Sequence, residues 1–336
     1  MMYNNRKVGY KNMVYTSITQ LVGRTPLIEF GKYEKANQLP AHLLGKLEYL
    51  NPAGSIKDRP ALFMIRQAEQ DGILKPGDTI VEQTSGNTGI ALAAYGVALG
   101  YHLEIFLEAG VTPERKTMLK GYGAVLRDYR DLPGEDPDQP FDEFREATMA
   151  EIEGYCKAHG PRYHYLNQVT NKANPRSHMV TTGPEIWEDT DGMVDALVCM
   201  VGTGGTLHGL STYLRGKNPD LYVLAVQPAP CSRRSRQNPY CPIIDGVLNF
   251  NDVDDKELTD FILRSDYQEC MDITCAEAYQ TARSIGRLQG ILLGTSASAA
   301  LTAAARLAKR PAMKGKNIVV ILPDGGDKYL STRQFY

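Results

Sequence analysis

Asn51-Pro52-Ala53-Gly54-Ser55-Ile56-Lys57-Asp58-Arg59-Pro60 lies between two stretches of different period. Before it, Leu43-Leu44-Gly45-Lys46-Leu47-Glu48 reads as a strand. After it, Ala61, Met64, Ile65 and Ala68 recur at the i, i+3, i+4, i+7 spacing of one buried helix face. Pro60 suits a first helical turn, and Ser55 with Asp58 reads as a cap with its acidic partner three residues on. Lys57 therefore sits where a strand gives way to a helix N-terminus. Nearby cationic and dipolar groups there would disfavour its ammonium form, and a lysine so depressed is a usable amine nucleophile. Most lysines at helix starts are simply solvated. Three glycine-rich loops further along the chain set this one apart.

Outward from that stretch the chain alternates. Gly23-Arg24-Thr25-Pro26-Leu27 is a turn into a short strand, behind a polar arm over residues 1–20. Strands are expected at Thr79–Glu82, Leu103–Leu107, Gly123–Leu126 and Tyr163–Gln168. Helices are expected at Ile90–Leu99, Pro113–Lys120 and Glu143–Ala158. The second half continues with strands at Ala196–Val201, Tyr222–Val226 and Ile318–Leu322. Its helices fall at Leu207–Arg215, Thr274–Leu288 and Ala297–Lys309. Alternation of this kind means parallel sheets with helices on both faces. Residues 131–141 form a polar, proline-rich surface loop. No fixed-period repeat is present.

Composition narrows the function. The 336 residues suffice for two domains of ordinary size. A net charge of −2 gives no electrostatic case for nucleic acid or an anionic membrane. No apolar run approaches the roughly 20 residues of a membrane span, and Met1–Lys11 does not read as a signal peptide. The six cysteines, at 156, 199, 231, 241, 270 and 275, contain no C-x-x-C pair, and the six histidines no H-E-x-x-H. Disulfide frameworks and metal sites have little support, and a reducing cytoplasm fits.

Three loops could carry chemistry. Gly202-Thr203-Gly204-Gly205-Thr206 follows a strand and opens a helix, where successive backbone N–H groups make an anion site suited to phosphate. It lacks the G-K-[ST] ending of a Walker loop, and Leu207 occupies the last glycine position of a dinucleotide fingerprint; a plain tight turn is the competing reading. Thr84-Ser85-Gly86-Asn87-Thr88-Gly89 offers hydroxyls, an amide and N–H groups at another helix start, suited to a carboxylate or to simple capping. Gly294-Thr295-Ser296-Ala297-Ser298 precedes an alanine-rich helix, and a serine cap is its plain alternative. Arg233, Arg234 and Arg236 read as a solvated surface cluster.

Taken together, Asn51–Arg59, Thr84–Gly89, Thr182-Gly183-Pro184-Glu185-Ile186-Trp187, Gly202–Thr206 and Gly294–Ser296 occur in an order that resembles the cysteine synthase and cystathionine β-synthase group of pyridoxal 5′-phosphate enzymes. The resemblance runs from about Val22 to Thr332. It implies the tryptophan-synthase-β fold (fold type II): α/β, two domains, each a mainly parallel sheet with helices on both faces, and the cofactor in the cleft between them. One domain would span 49–160, with a mobile part at about 103–148. The other would combine 15–48 with 161–332. Lys57 would hold the cofactor as a Schiff base, Asn87 would bond its 3′-hydroxyl, and Gly202, Thr203, Gly204, Gly205 and Thr206 would cradle its phosphate. Ser296 would meet the pyridine nitrogen. Thr84, Ser85, Thr88 and Gln168 would grip the substrate carboxylate. A homodimer is also implied.

The expected reaction is β-replacement on a serine- or cysteine-derived amino acid through an aminoacrylate. The leading form is cysteine synthase, joining O-acetylserine or O-phosphoserine to sulfide. Val169 stands where this group usually carries Phe, Asp245 where Gln is common, and Ser298 where Gly is usual. These positions leave open a sulfide-releasing cysteine lyase or a thioether-forming synthase. Asp245 reads either as a catalytic carboxylate or as a turn residue before Gly246. A catalytically silent cofactor-binding or regulatory protein is the alternative of another class.

Overall fold

The computed structural model describes residues 14–84, 86–107, 110–142, 145–232, 236, 241–251 and 253–336. Among the described residues ten strands fall into two sheets: β1 Leu27–Glu29, β2 His42–Leu47, β3 Thr79–Thr84, β4 His102–Leu107, β5 Val125–Arg127, β6 Tyr163–Tyr165, β7 Ala196–Met200, β8 Tyr222–Pro228, β9 Glu269–Ile273 and β10 Asn317–Leu322. The larger sheet has the order β1-β2-β10-β7-β8-β9, and the smaller β5-β4-β3-β6. Every pairing is parallel except β1 with β2.

Parallel strands buried on both faces need apolar residues at successive positions, and the sequence supplies them. In β7, Ala196, Val198 and Met200 enter one core cluster, while Leu197 and Cys199 enter another. Likewise Ile318 and Val320 of β10 face the first cluster and Val319 the second. The helices Cys275–Gln289 and Thr295–Ala308 cover one face; Gly183–Asp189 and Gly205–Arg215 cover the other. The smaller sheet is divided the same way, Ile80 and Ile105 on one side, Val81 and Phe106 on the other.

Helix Asp58–Gln70 buries the stripe expected of it: Ala61, Met64, Ile65 and Ala68 are all in the core. Burial of the larger members is worth about 1.5–3 kcal/mol each. Its start differs from expectation. Lys57 occupies the cap position without a side-chain cap bond. Ser55 and Asp58 pair one step earlier, Ser55 N–H donating to Asp58 Oδ1 (3.2 Å) and Lys57 N–H to Ser55 Oγ (3.1 Å).

Other differences have local causes. The helix expected from Glu143 begins at Met149, where Thr148 and Glu151 form a capping box; Glu143 lies outside the described residues. The edge strand β9 was not expected, nor was the run 173–189. That run continues from helix Ala173–Ser177 through a π-helical turn into helix Gly183–Asp189. β6 follows residue 160, the expected boundary, yet pairs with β3.

Candidate active site

Ligands of open α/β sheets bind beyond the carboxyl ends of the strands. The loops after β3, β7, β8 and β10 meet there around a cavity of about 680 Å³. Lys57, Thr84, Asn87, Thr88, Gln168, Gly202, Thr203, Gly204, Gly205, Thr206, Asp245 and Ser296 all line it, as does Val169. Ser85, Arg233 and Arg234 lie outside the described residues; Arg236 pairs with Asp142 at the surface.

The turn that carries Lys57 is stitched to the end of β10. Ile56 N–H donates to Pro323 O (2.7 Å), and Ser55 bridges Asp324. Two residues on, Arg59 is buried between carboxylates. Its Nε donates to Glu48 Oε2 (2.8 Å), and Nη1 and Nη2 each donate to Glu185 (2.7 Å). These charge-assisted bonds hold the helix start against the Gly183–Asp189 helix.

On the β3 side, Thr88 Oγ1 donates to Gln168 Oε1 (2.6 Å), and Gly86 N–H donates to Thr84 Oγ1 (3.1 Å). Gln168 is itself anchored: its N–H donates to Glu82 Oε2 (3.3 Å), and Asn174 Nδ2 donates to its carbonyl (2.9 Å). The same Asn174 Nδ2 donates to Thr203 Oγ1 (3.0 Å), so one carboxamide ties the β3 loop to the β7 loop. Burial raises the Glu82 carboxyl to about 8, although backbone N–H groups of Gln83, Gln168 and Asn167 and the Lys57 charge oppose it.

The β7 loop is shaped as a cradle. Helix Gly205–Arg215 starts from Gly204 at φ +83° with no side-chain cap. Gly205 N–H donates to Thr203 Oγ1 at 3.4 Å, and the N–H groups that follow it in the first turn have no acceptor within the helix. A Cβ on Gly204 would lie 2.6 Å from the Ile262 side chain, and one on Gly202 2.8 Å from the Gly246 carbonyl. Thr206 Oγ1 lies 3.2 Å from His178 Nε2, and His178 Nδ1 lies 3.0 Å from Thr182 Oγ1. Burial, then the Arg59 and Lys57 charges, push His178 well below its ordinary range. It is a neutral imidazole, with one donor and one acceptor for the two threonines.

The family profile described as pyridoxal-phosphate dependent enzyme matches residues 18–324. The chain belongs to that family. Cysteine synthase of Aquifex aeolicus is 38% identical over 325 residues, covering 95% of this chain and 92% of that one. Among solved structures, the O-acetylserine dependent cystathionine β-synthase of Helicobacter pylori aligns with a TM-score of 0.81 at 26% identity, over 96% of this chain and 100% of that one. A hydrogen sulfide-producing enzyme of Fusobacterium nucleatum aligns at 0.78 with 29% identity, over 94% and 100%. This pyridoxal-phosphate enzyme has the two-sheet α/β fold of its relatives.

Its donor set fits that cofactor. The glycine-led helix start and the crowded glycines suit a phosphate, and Ser296 lines the same cavity at the start of helix Thr295–Ala308. Sequence reasoning missed several wall and support residues. Arg115, 2% exposed, pairs with Asp245 and donates to Tyr329 Oη, while Glu146 and Tyr329 line the cavity. Arg115 comes from helix Pro113–Gly121, and its partner is 130 residues away. No local pattern signals that pairing.

Proposed function

We propose that this enzyme catalyses β-replacement on a serine-derived amino acid with sulfide, as a cysteine synthase. The convergence of Lys57, the 84–88 loop, the Gly202–Thr206 cradle and Ser296 on one cavity carries the reading. Bound pyridoxal 5′-phosphate supplies the electron sink for charge developing at the substrate Cα. Lys57 would hold the cofactor, and its Nζ is the group that would take the Cα proton. Thr84, Ser85 and Thr88, with the Gln168 carboxamide, hold the substrate carboxylate. Asn87 would donate to the cofactor's 3′-oxygen, and the loop N–H groups with Thr203 and Thr206 would hold its phosphate. Ser296 offers the ring nitrogen a neutral hydroxyl, which does not hold a proton there as a carboxylate would. Acetate or phosphate leaves Cβ with its electron pair, hydrosulfide supplies the new Cβ–S pair, and a proton returns to Cα. For Asp245, the pairing with Arg115 favours orienting a substrate over proton transfer, because its Oδ2 already accepts from a fixed cation.

A second reading has its own support. Val169, Asp245 and Glu146 share the wall of a cavity of about 680 Å³, room for a nucleophile larger than sulfide. A thioether-forming synthase fits that room, and the Glu146 and Asp245 carboxylates suit the handling of water in a sulfide-releasing cysteine lyase.

We infer further that the enzyme is a homodimer of the cytoplasm that engages neither nucleic acid nor membrane. The family resemblance supports the dimer, and the net charge of −2 gives no field for nucleic acid. Among the described residues no helix is long and apolar enough to cross a membrane. The domain division at 49–160 against 15–48 plus 161–332 is part of the same reading, with movement centred on 103–148; the pairing of β6 with β3 favours moving the boundary past Tyr165.

The test supplies purified enzyme with sulfide and O-acetylserine, O-phosphoserine or serine, and separately with cysteine alone. Products are quantified by chromatography. Cysteine formed from an activated serine supports the first reading. Sulfide from cysteine alone, with serine or a thioether as co-product, replaces it with the second. No turnover with any of them overturns both and leaves the silent cofactor-binding protein.

A further inference from the structure

Lys328 belongs to none of the motifs above and does not line the cavity, yet it is 1% exposed. It sits in the turn Gly326–Tyr329 that follows β10. Its ammonium has three protons to place. Nζ donates to Gly54 O (2.8 Å) and to Asn87 Oδ1 (3.1 Å), and reaches Ala53 O at 3.4 Å. Two of those acceptors belong to the turn that carries Lys57, and the third is the side chain expected to face the cofactor. The fit is close: Gly54 has φ +81°, and a Cβ there would lie 3.3 Å from Lys328 Nζ.

On the far side of the same carboxamide, Asn87 Nδ2 donates to Asp324 Oδ2 (2.7 Å), which also accepts from Tyr329 Oη (2.7 Å). The Asn87 oxygen thus faces a cation and its nitrogen faces a carboxylate. Turning the amide over would set N–H against ammonium and oxygen against carboxylate, two repulsive contacts in a buried place. One amide orientation survives. In that orientation a second Nδ2 proton remains for an acceptor oxygen.

We propose that Lys328 is a positioning residue. It locks the Asn87 carboxamide as a donor toward the cofactor and bolts it to the Lys57 turn. The inference rests on the reading of Asn87 as a cofactor contact. Burial lowers the Lys328 pKa, and the Asp324, Asp58 and Asp327 charges oppose that shift.

The test measures equilibrium affinity of the apoprotein for pyridoxal 5′-phosphate by absorbance titration. Wild type is compared with Lys328→Met, Lys328→Arg, Asn87→Ala and the Lys328→Met/Asn87→Ala double variant. Lys328→Met weakens binding by about tenfold, the cost of one misplaced buried hydrogen bond, and Lys328→Arg recovers most of it. In the Asn87→Ala background, Lys328→Met adds less than about twofold, since the amide it orients is gone. A full tenfold loss in that background, or no loss with Asn87 present, overturns the proposal. Where Lys328→Met does not fold by circular dichroism, Lys328→Gln takes its place in the same cycle. Wild type that binds no pyridoxal phosphate would instead fail the underlying functional reading.

Discussion

Asp245 reaches the cavity already engaged, and its partner decides how it can act. Arg115 is buried against Asp245, Tyr329 and, at 4.0 Å, Asp324. An arginine cannot give up its charge, so removing Asp245 leaves the buried cation facing the more distant Asp324 carboxylate, at a cost of up to about 3–5 kcal/mol for a broken buried pair. Asp245→Asn and Arg115→Met should each destabilise the protein in urea melts. The double variant should fall short of the sum by about 1–3 kcal/mol. Turnover separates the roles: a general base would lose about 100-fold or more on Asp245→Asn, while an orienting carboxylate would lose far less. Glu82 behaves differently: backbone N–H groups and the Lys57 charge act against burial but do not offset it. It is 0% exposed and raised from 4.5 to about 8. Between those values the folded protein keeps a proton that the unfolded chain has released. Stability from this group is therefore lost as pH rises from about 5 to about 8. Wild type should lose stability relative to Glu82→Gln across that range; a constant difference would remove Glu82 as the cause.

At the scale of elements, the glycine cradle is a structure whose backbone must approach its neighbours closely. A Cβ on Gly205 would run into the Asn174 carboxamide, the group that also holds Gln168 and Thr203. Gly205→Ala should therefore weaken pyridoxal phosphate binding by about tenfold or more and raise the KM for the amino acid as well. Retained affinity in a fluorescence titration would mean that Asn174 can move aside. The cradle was legible because its glycines follow an apolar strand and open a periodic helix, two local signals. The Lys57 helix was legible for the same reason, through its 61, 64, 65, 68 stripe. Elements whose cause is remote were not. β9, Glu-Cys-Met-Asp-Ile, alternates weakly because it is an edge strand held by β8. The helical run 173–189 contains Pro175, two threonines and Gly183-Pro184, which read as breakers. The chain accommodates them with a π-helical turn, whose wider hydrogen-bond spacing leads directly into Pro184 near the start of the last helical segment. Arg115 and Lys328 gave no signal because their meaning depends on residues 130 and 241 positions away.

Across the whole molecule, one helix of the smaller sheet's half is fastened to the segment that follows the larger sheet's β10. Thr112 Oγ1 donates to Lys328 O (2.9 Å), Ser331 N–H and Oγ donate to the two Glu114 oxygens (2.7 and 2.8 Å), and Arg115 donates to Tyr329 Oη. Each bond spans more than 200 residues of sequence. Together they bring the start of helix Pro113–Gly121 over the loops that hold Lys57 and Asn87. On the proposed reading, a substrate whose carboxylate is held by the β3 loop, and whose other end lies over the β7 loop, would favour the state in which these attachments are formed. Closing them excludes water from a reaction in which water would compete with the sulfur nucleophile. The Glu114–Ser331 bonds are exposed, worth about 1 kcal/mol each, which suits a contact that opens and shuts. Amino-acid ligand should slow amide hydrogen exchange over residues 112–121 in the wild type. Glu114→Ala should lose a large part of that protection and raise KM about fivefold, leaving cofactor affinity unchanged, because Glu114 touches neither the cradle nor the Lys57 turn. Equal exchange with and without ligand in the wild type would show that the helix stays fastened throughout turnover. Substrate would then have to enter beneath it.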